Sequence, residues 1–397
     1  MKKFQLRTYA YEHMIEWIPF DRLCNIKKIG EGGFGSVYSA IWIDGIRKID
    51  VKRGIRKIFG SKYVRSRKSF SIIALKTLSG FKENPHYFLK EFDNNVKCYL
   101  WGSKLKIYGL TQNTETKEYL MAFQYADNGS LHKFLQKNFK DLTWQTKLKL
   151  LTDILWDLHK IHDAGYIHSD FHSGNVLILQ NQSYVSDLGL AKKSYNVELG
   201  RFKQTDENDS GGIYGVLPYV APEILSGQEF TSAADIYSFG VIMSEMSTGR
   251  RPFDGNQFDD ELAVKICFGL RPEFAPGTPD CYIELAKQCM NSDPIKRPNG
   301  WNVYFKLERW YSSMESSDET NEIKKQFLAA DTLIKEFFSP KHPDFMYTSK
   351  IINARRISAM KTNYSNYTML TKLSSKSIDF LEVPTDYCII NDKVITL

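Results

Sequence analysis

The sequence predicts an α+β protein in two lobes: a small antiparallel sheet with one helix, then a larger and mainly helical unit. Three observations lead there. Ile26 to Ile43, IKKIGEGGFGSVYSAIWI, alternates apolar and polar residues on both sides of a glycine cluster, which reads as strand, turn and strand. From Leu142 the pattern changes, with Trp144, Leu148, Leu151, Leu155, Leu158 and Ile161 recurring at helical spacing. The composition, 42% apolar and 14% aromatic over 397 residues, is that of an ordinary globular chain and excludes general disorder, collagen and a membrane bundle.

The remaining elements follow in order. SIIALKTL, Ser71 to Leu78, reads as a third strand. Pro85 suits the first turn of a helix running to about Lys97, with Phe88, Phe92 and Val96 on one face. Leu105 to Ala126 reads as a hairpin around a polar loop, and the turn DNGS (Asp127 to Ser130) leads into the second lobe. There YIH, NVLIL and YVSDLGL are too short for helices and read as small strands and loops. Helical patterns resume at Ser232 to Met246, Glu261 to Phe268, Cys281 to Met290 and Gly300 to Tyr311. Beyond Ser312 the chain is rich in Ser, Thr, Lys and Asn. One amphipathic helix, 323–338, is expected to dock through Phe327, Leu333, Ile334 and Phe337, and the rest of the tail to be loosely ordered. The division is therefore an N-terminal flank (1–20), a first lobe (21–126) with an insert (46–70), a second lobe (127–311) and a tail (312–397).

Six cysteines lie far apart without a C-x-x-C pair, which favours a reduced intracellular compartment, cytoplasmic or nuclear. The N-terminus has basic residues but no apolar run after them, so neither a secretory signal nor a membrane span is expected. The net charge of +7 is concentrated: residues 46–70 hold ten Lys or Arg against Asp50 alone, leaving the rest of the chain slightly acidic. This insert could meet an acidic partner. A solvated loop is the plainer reading, and too few aromatics interleave the charges for a nucleic-acid platform.

The glycine cluster by itself is ambiguous between nucleotide folds and structural turns. Its position between two strands, rather than before a helix, disfavours a nicotinamide site, and Gly30, Gly33 and Gly35 would let backbone N–H groups approach phosphates. Lys76 and Glu91 could pair beneath it, or equally be a surface lysine and a solvated glutamate. The deciding string is HSDFHSGN, His168 to Asn175, followed by DLG at Asp187. An Asp, an Asn and a second Asp on strand ends supply what phosphoryl transfer needs: an orienter for a hydroxyl, and oxygen ligands for Mg²⁺. APE (Ala221 to Glu223), DIYSFG (Asp235 to Gly240) and Arg297 in KRP complete the set.

Residues from about Trp17 to Tyr311 resemble a eukaryotic protein kinase domain of the tyrosine kinase-like type, with the motifs in the family order. EWIPFDRL, YGVLPYVAPE, and KHPD with YTSK in the tail are similar to the expanded kinase families of arbuscular mycorrhizal fungi. The resemblance implies the bilobal protein kinase fold and a protein substrate. It implies that Ile29, Gly30, Glu31, Gly32, Gly33, Phe34, Gly35 and Val37 cover ATP, and that Lys76, paired with Glu91, contacts the α- and β-phosphates. Ala74, Val37 and Leu177 would pack on adenine, with Phe123 as gatekeeper and Gln124, Tyr125 and Ala126 as the hinge. Asp170 would be the catalytic aspartate, Asn175 and Asp187 would hold Mg²⁺, and Glu223 and Arg297 would form a buried ion pair.

Four positions depart from the family wording. Ser169 stands where an Arg is usual between the catalytic-loop His and Asp, which puts activation by phosphorylation in question. His172 stands for a Lys and Val216 for a Thr, two positions that normally meet at Asp170. A protonated His172 could supply part of the missing charge. Leu188 replaces Phe in DLG, an apolar exchange of modest consequence. The expected activity is transfer of the γ-phosphoryl of Mg-ATP to protein hydroxyls, Ser or Thr ahead of Tyr. A nucleotide-binding scaffold without turnover is the alternative. A small-molecule phosphotransferase is disfavoured by the peptide-positioning segment Gly211 to Glu223 and by Arg297. In the segment Asp187 to Glu223, Ser194, Tyr195, Thr205, Ser210 and Tyr214 are candidate regulatory hydroxyls.

Overall fold

The computed structural model describes residues 10–32, 35–52, 62–77, 85–194, 212–333 and 340–373. The first lobe is a six-stranded sheet in the order β1-β7-β8-β6-β3-β2. Its strands are β1 (Glu16–Trp17), β2 (Leu23–Gly32), β3 (Gly35–Trp42), β6 (Ser71–Thr77), β7 (Ile107–Gln112) and β8 (Tyr119–Gln124). All neighbours are antiparallel except β1 and β7. Helix α1 (Pro85–Leu100) covers one face, where Phe92 and Val96 pack with Leu110, Met121 and Phe123. Period-two alternation sends Ile73 and Leu75 of β6 to the opposite face, with Trp42 and Tyr108, and leaves Ala74 and Lys76 on the helix side.

The basic insert is an ordered hairpin, which corrects the expectation of a solvated loop. Strands β4 (Ile46–Lys52) and β5 (Lys62–Lys68) pair antiparallel in seven positions, while 53–61 lie outside the described residues. Its charge is partly neutralised on the lobe. Glu16 accepts from Arg47 at 2.9 and 3.0 Å and from Arg67 at 2.5 Å, and the Arg47 and Arg67 guanidiniums lie over the rings of Tyr11 and Trp42.

The second lobe is built on α2 (Leu131–Asn138), α3 (Trp144–Asp163), α4 (Pro222–Leu225), α5 (Ser232–Thr248), α6 (Asp260–Cys267), α7 (Asp280–Cys289) and α8 (Gly300–Glu315). Thr143, Asp259 and Asn299 cap α3, α6 and α8 through side-chain oxygens, as residue types at those positions should. α5 is buried nearly all round and forms the axis of the core, with Tyr237, Phe239 and Met243 fully enclosed. Small strands β9 (Tyr166–Ile167), β10 (Val176–Leu179), β11 (Gln182–Val185) and β12 (Lys192–Lys193) carry the loops that face the first lobe. Among the described residues no helix is long and apolar enough to cross a membrane.

The tail departs most from expectation. Helix α9 (Glu322–Asp331) docks as foreseen through Phe327, buried between Trp144 and Trp310, and Asp331 accepts from the Trp144 backbone N–H at 2.9 Å. Leu333 stays largely exposed, and Ile334 and Phe337 lie outside the described residues. Residues 340–373, expected to be loose, are instead ordered: β14 (Lys350–Asn353) pairs antiparallel with β13 (Gly212–Gly215), and α10 (Ala354–Leu373) follows. Tertiary contacts supply the order that composition did not suggest, since Tyr347, Ala354 and Ile357 bury against the second lobe. Residues 374–397 lie outside the described residues.

Candidate active site

The register of the first sheet assembles one wall of the cleft. Gly30 is opposite Val37, and Val37 is opposite Lys76, so these three residues are neighbours across β2, β3 and β6; Ala74 is opposite Phe123. Gly33 and Phe34, the predicted tip, lie outside the described residues. Gly35 has a structural reason to be glycine: its φ is +137°, and a Cβ there would meet the Thr77 carbonyl oxygen at 2.4 Å. Ile29 and Glu31 are exposed, and Glu31 pairs with Lys28 at 2.8 Å. Phe123 is buried beside Ala74 and Leu177, and β8 ends at Gln124, from which Tyr125 and Ala126 continue without regular structure.

Lys76 joins the two lobes. Its Nζ donates to Glu91 Oε1 at 2.8 Å and to Asp187 Oδ1 at 2.7 Å, a contact across 111 residues. Burial opposes the ammonium, but the charges of Asp187 and Glu91 outweigh it and hold Lys76 above its usual range. Two carboxylates share that cation. Glu91 is accordingly raised, first by burial and then, against the pull of Lys76, by the like charge of Asp187.

The catalytic loop is held from beneath by Asp235, which accepts from the backbone N–H groups of His168 at 2.8 Å and Ser169 at 3.1 Å, and hydrogen-bonds His162 Nε2 at 2.8 Å. The sequence offers Asp235 only as part of a motif; its role as a strut appears in three dimensions. Ser169 is buried with φ of 68°, and Asp187 has φ of 65°, both left-handed and both at the functional loops. His168 Nε2 lies 2.9 Å from the Ser186 carbonyl, and its Nδ1 accepts from the Asp170 N–H at 3.4 Å, which fixes the tautomer.

Asp170 is buried, its Oδ1 has no hydrogen-bond partner among the described residues, and Asn175 Nδ2 donates to its carbonyl at 2.9 Å. That bond engages the Asn175 amide nitrogen, so its amide oxygen, an acceptor, is the atom that could ligate a cation. Carboxylate and amide oxygens suit Mg²⁺, which takes few protein ligands and completes its shell with phosphate and water. His172 and Val216 do meet at Asp170, lining a small cavity with Ser169 and Tyr219. His172 Nε2 is 3.8 Å from Asp170 Oδ2, and its Nδ1 accepts from the Gly174 N–H at 3.1 Å. Gly174 is required by that ring, since a Cβ would come within 2.6 Å of His172 Cε1. Burial pushes the Asp170 carboxyl up; the charge of a protonated His172, its hydrogen bond and that of Ser349 more than offset this and leave the carboxyl below its usual range.

Leu188 fills an apolar slot in the second-lobe core. Glu223 and Arg297 form a doubly bonded pair, 2.6 Å at each arm. Of the candidate regulatory hydroxyls, Tyr195, Thr205 and Ser210 lie outside the described residues, Ser194 follows β12, and Tyr214 lies in β13. Sequence reasoning missed Ser349, whose Oγ donates to Asp170 Oδ2 at 2.6 Å across 179 residues. No local pattern in the tail signals that contact.

Gly30 and Gly35 on the strands beside a Lys–Glu pair, an Asp–Asn loop and a second Asp, set between a sheet lobe and a helical lobe, form the arrangement that phosphoryl transfer from a nucleotide requires. Residues 23–307 match the family described as protein tyrosine and serine/threonine kinase, and the chain belongs to that family. It is 28% identical over 312 residues to a probable serine/threonine-protein kinase of Dictyostelium discoideum, covering 75% of this chain and 16% of that protein. The probable serine/threonine-protein kinase roco5 of the same organism is 29% identical, over 71% of this chain and 9% of its own length. The proline-rich receptor-like protein kinase PERK8 of Arabidopsis thaliana is 27% identical, over 77% of this chain and 44% of its own. The chain thus spans less than half the length of each of these relatives.

Proposed function

We propose that this chain transfers the γ-phosphoryl group of ATP to protein hydroxyls, with serine and threonine preferred to tyrosine. The observation that carries the reading is the Lys76 ammonium bridging Glu91 and Asp187. That bridge brings α1, β6 and the DLG loop into the one arrangement in which a lysine can bind phosphates while an aspartate faces the same space. The residues from Ile29 to Val37 would cover the nucleotide, Phe123 to Ala126 would receive its base, and Asn175 and Asp187 would hold Mg²⁺. When bound, the ion neutralises charge on the phosphate oxygens. Asp170 would orient the acceptor hydroxyl and take its proton. Its lowered carboxyl supports the ionised state that role requires.

His172 is proposed to position the acceptor side of the site. Its Nδ1 accepts from the Gly174 N–H and its Nε2 lies 3.8 Å from Asp170 Oδ2, which holds the ring beside the carboxylate. A His172→Lys variant with turnover and pH profile both unchanged would remove this role. The preference for serine and threonine is supported by the similarity to relatives named serine/threonine-protein kinases. EWIPFDRL, YGVLPYVAPE, and KHPD with YTSK support a finer placement beside the expanded kinase families of arbuscular mycorrhizal fungi. The exposed Arg65 and Lys68 of the basic hairpin are a candidate contact for an acidic protein.

The test is transfer of labelled phosphate from Mg-ATP to the purified chain and to dephosphorylated casein, followed by phosphoamino-acid analysis, with Asp170→Asn in parallel. Phosphoserine or phosphothreonine that disappears in the variant is the expected result. Nucleotide binding with no transfer to any acceptor would instead make the chain a nucleotide-binding scaffold.

A further inference from the structure

We propose that the C-terminal strand is a tethered substrate of this chain's own site and that Ser349 is its phosphoacceptor. This rests on the kinase reading above and adds the identity of one substrate. Ser349 is the side chain whose hydroxyl reaches the aspartate expected to orient an acceptor, donating to Asp170 Oδ2 at 2.6 Å. The chain arrives there as a peptide substrate would, by strand addition. Lys350, Ile351, Ile352 and Asn353 are opposite Gly215, Tyr214, Ile213 and Gly212, so main-chain pairing sets the register that puts Ser349 at the carboxylate. The receiving strand is shaped for it: a Cβ on Gly212 would come within 2.9 Å of Ile351 Cγ2.

Anchors on both sides hold this segment in place. Upstream, the Asp254 carboxylate accepts from the backbone N–H groups of Lys341 and His342, each at 2.9 Å. Tyr347 is buried with its ring under the Arg251 guanidinium, 4.4 Å away, and its hydroxyl donates to the Pro252 carbonyl at 3.1 Å. Downstream, Ile357 is fully buried and Arg356 pairs with Asp260 at 2.6 Å. A segment fastened at Tyr347 and Ile357 has little freedom between them, and Ser349 lies in that interval. A strap that only blocked the site would place no hydroxyl on Asp170.

The step balances with ATP as the phosphoryl donor. A bond forms between Ser349 Oγ and Pγ, the bond from Pγ to the bridging β-phosphate oxygen breaks, the hydroxyl proton passes to Asp170, and ADP leaves. The product is a phosphoserine carrying close to two negative charges beside Asp170, once that carboxyl has passed its proton to solvent. Loss of the Ser349 donor and repulsion between these groups release the strand from β13 and open the site to other proteins. Until then the tail competes with them.

The experiment uses the full chain, first dephosphorylated, then given Mg-ATP with and without dephosphorylated casein, and read by peptide mass mapping over time and over a dilution series. The expected result is phosphate on Ser349 with a first-order rate independent of protein concentration, followed by a several-fold rise in casein phosphorylation. Ser349→Thr should move the label to threonine in the same peptide. Tyr347→Ala should slow labelling of Ser349 while raising casein phosphorylation, which a merely structural tail would not do. Casein labelled with Ser349 unlabelled, or Ser349 labelled at a rate proportional to protein concentration, overturns the tethered substrate and leaves the kinase reading intact. Label on neither overturns both.

Discussion

Replacing Arg297 by Met tests the frame that supports the site. Its guanidinium is 0% exposed and the Glu223 carboxylate 5%, so neither charge is solvated by water in the folded chain. Arg297 spends its donors on both Glu223 oxygens and on the carbonyls of Ala233 and Asn291, each at 2.8 Å. The cation also lies 5.2 Å from the centre of the Tyr237 ring. Met fills much of the volume but leaves a buried carboxylate and two carbonyls unpaired. Breaking a buried pair from one side costs about 3–5 kcal/mol. For a domain of this size one kcal/mol moves Tm by about 2 °C, so Arg297→Met should melt about 6–10 °C below the parent. Differential scanning fluorimetry with urea titration measures it. The double variant Glu223→Gln/Arg297→Met should recover part of the loss, because a neutral amide is cheaper to bury than a carboxylate. A single variant melting within about 2 °C of the parent would refute the reasoning, as would a double variant less stable than the single.

Three further outcomes are expected. Asp157 is buried and accepts from the backbone N–H groups of Lys104 at 2.6 Å and Val185 at 3.0 Å. Burial pushes its carboxyl up to about 7, against the pull of those bonds. A folded value above the unfolded one gives stability that is present at low pH and lost as pH rises to about 7, so the parent should decline relative to Asp157→Asn between pH 5 and 7, and a parallel course would contradict this. Gly35→Ala forces a side chain at φ of +137° toward Thr77; a cost of about 1–3 kcal/mol should appear as weaker ATP binding by calorimetry. Gly174→Ala pushes the His172 ring aside and should lower kcat while sparing the KM for ATP; an unchanged kcat would count against a positioning role for His172.

The fold was legible where a pattern is local. Alternation around the glycine turn located β2 and β3, and helical spacing located α3, α5, α7 and α8 to within a few residues. Lys76 and Glu91, ambiguous as isolated charges, were separated from the surface alternative only when the register set Lys76 beside Val37 and α1 turned Glu91 inward. The basic insert was misread because charge density suggests solvation, whereas Glu16 and two aromatic rings neutralise and cover part of it. The tail was misread for a related reason. A polar composition predicts disorder only if no prepared surface exists, and the second lobe presents Asp254, Arg251 and β13 to receive it.

Sequence alone determined the class of protein, because the chemistry of phosphoryl transfer needs particular residues at short, fixed separations: the glycine turn, the eight residues from His168 to Asn175, and Asp187 twelve further on. Such spacings survive in one dimension. Tertiary structure decided what lies between distant segments: Asp235 beneath the catalytic loop, Lys76 shared between Glu91 and Asp187, and Ser349 on Asp170. Contacts across tens to hundreds of residues depend on how two surfaces fit and on which buried groups need a partner, and neither quantity is written in the neighbourhood of any one residue.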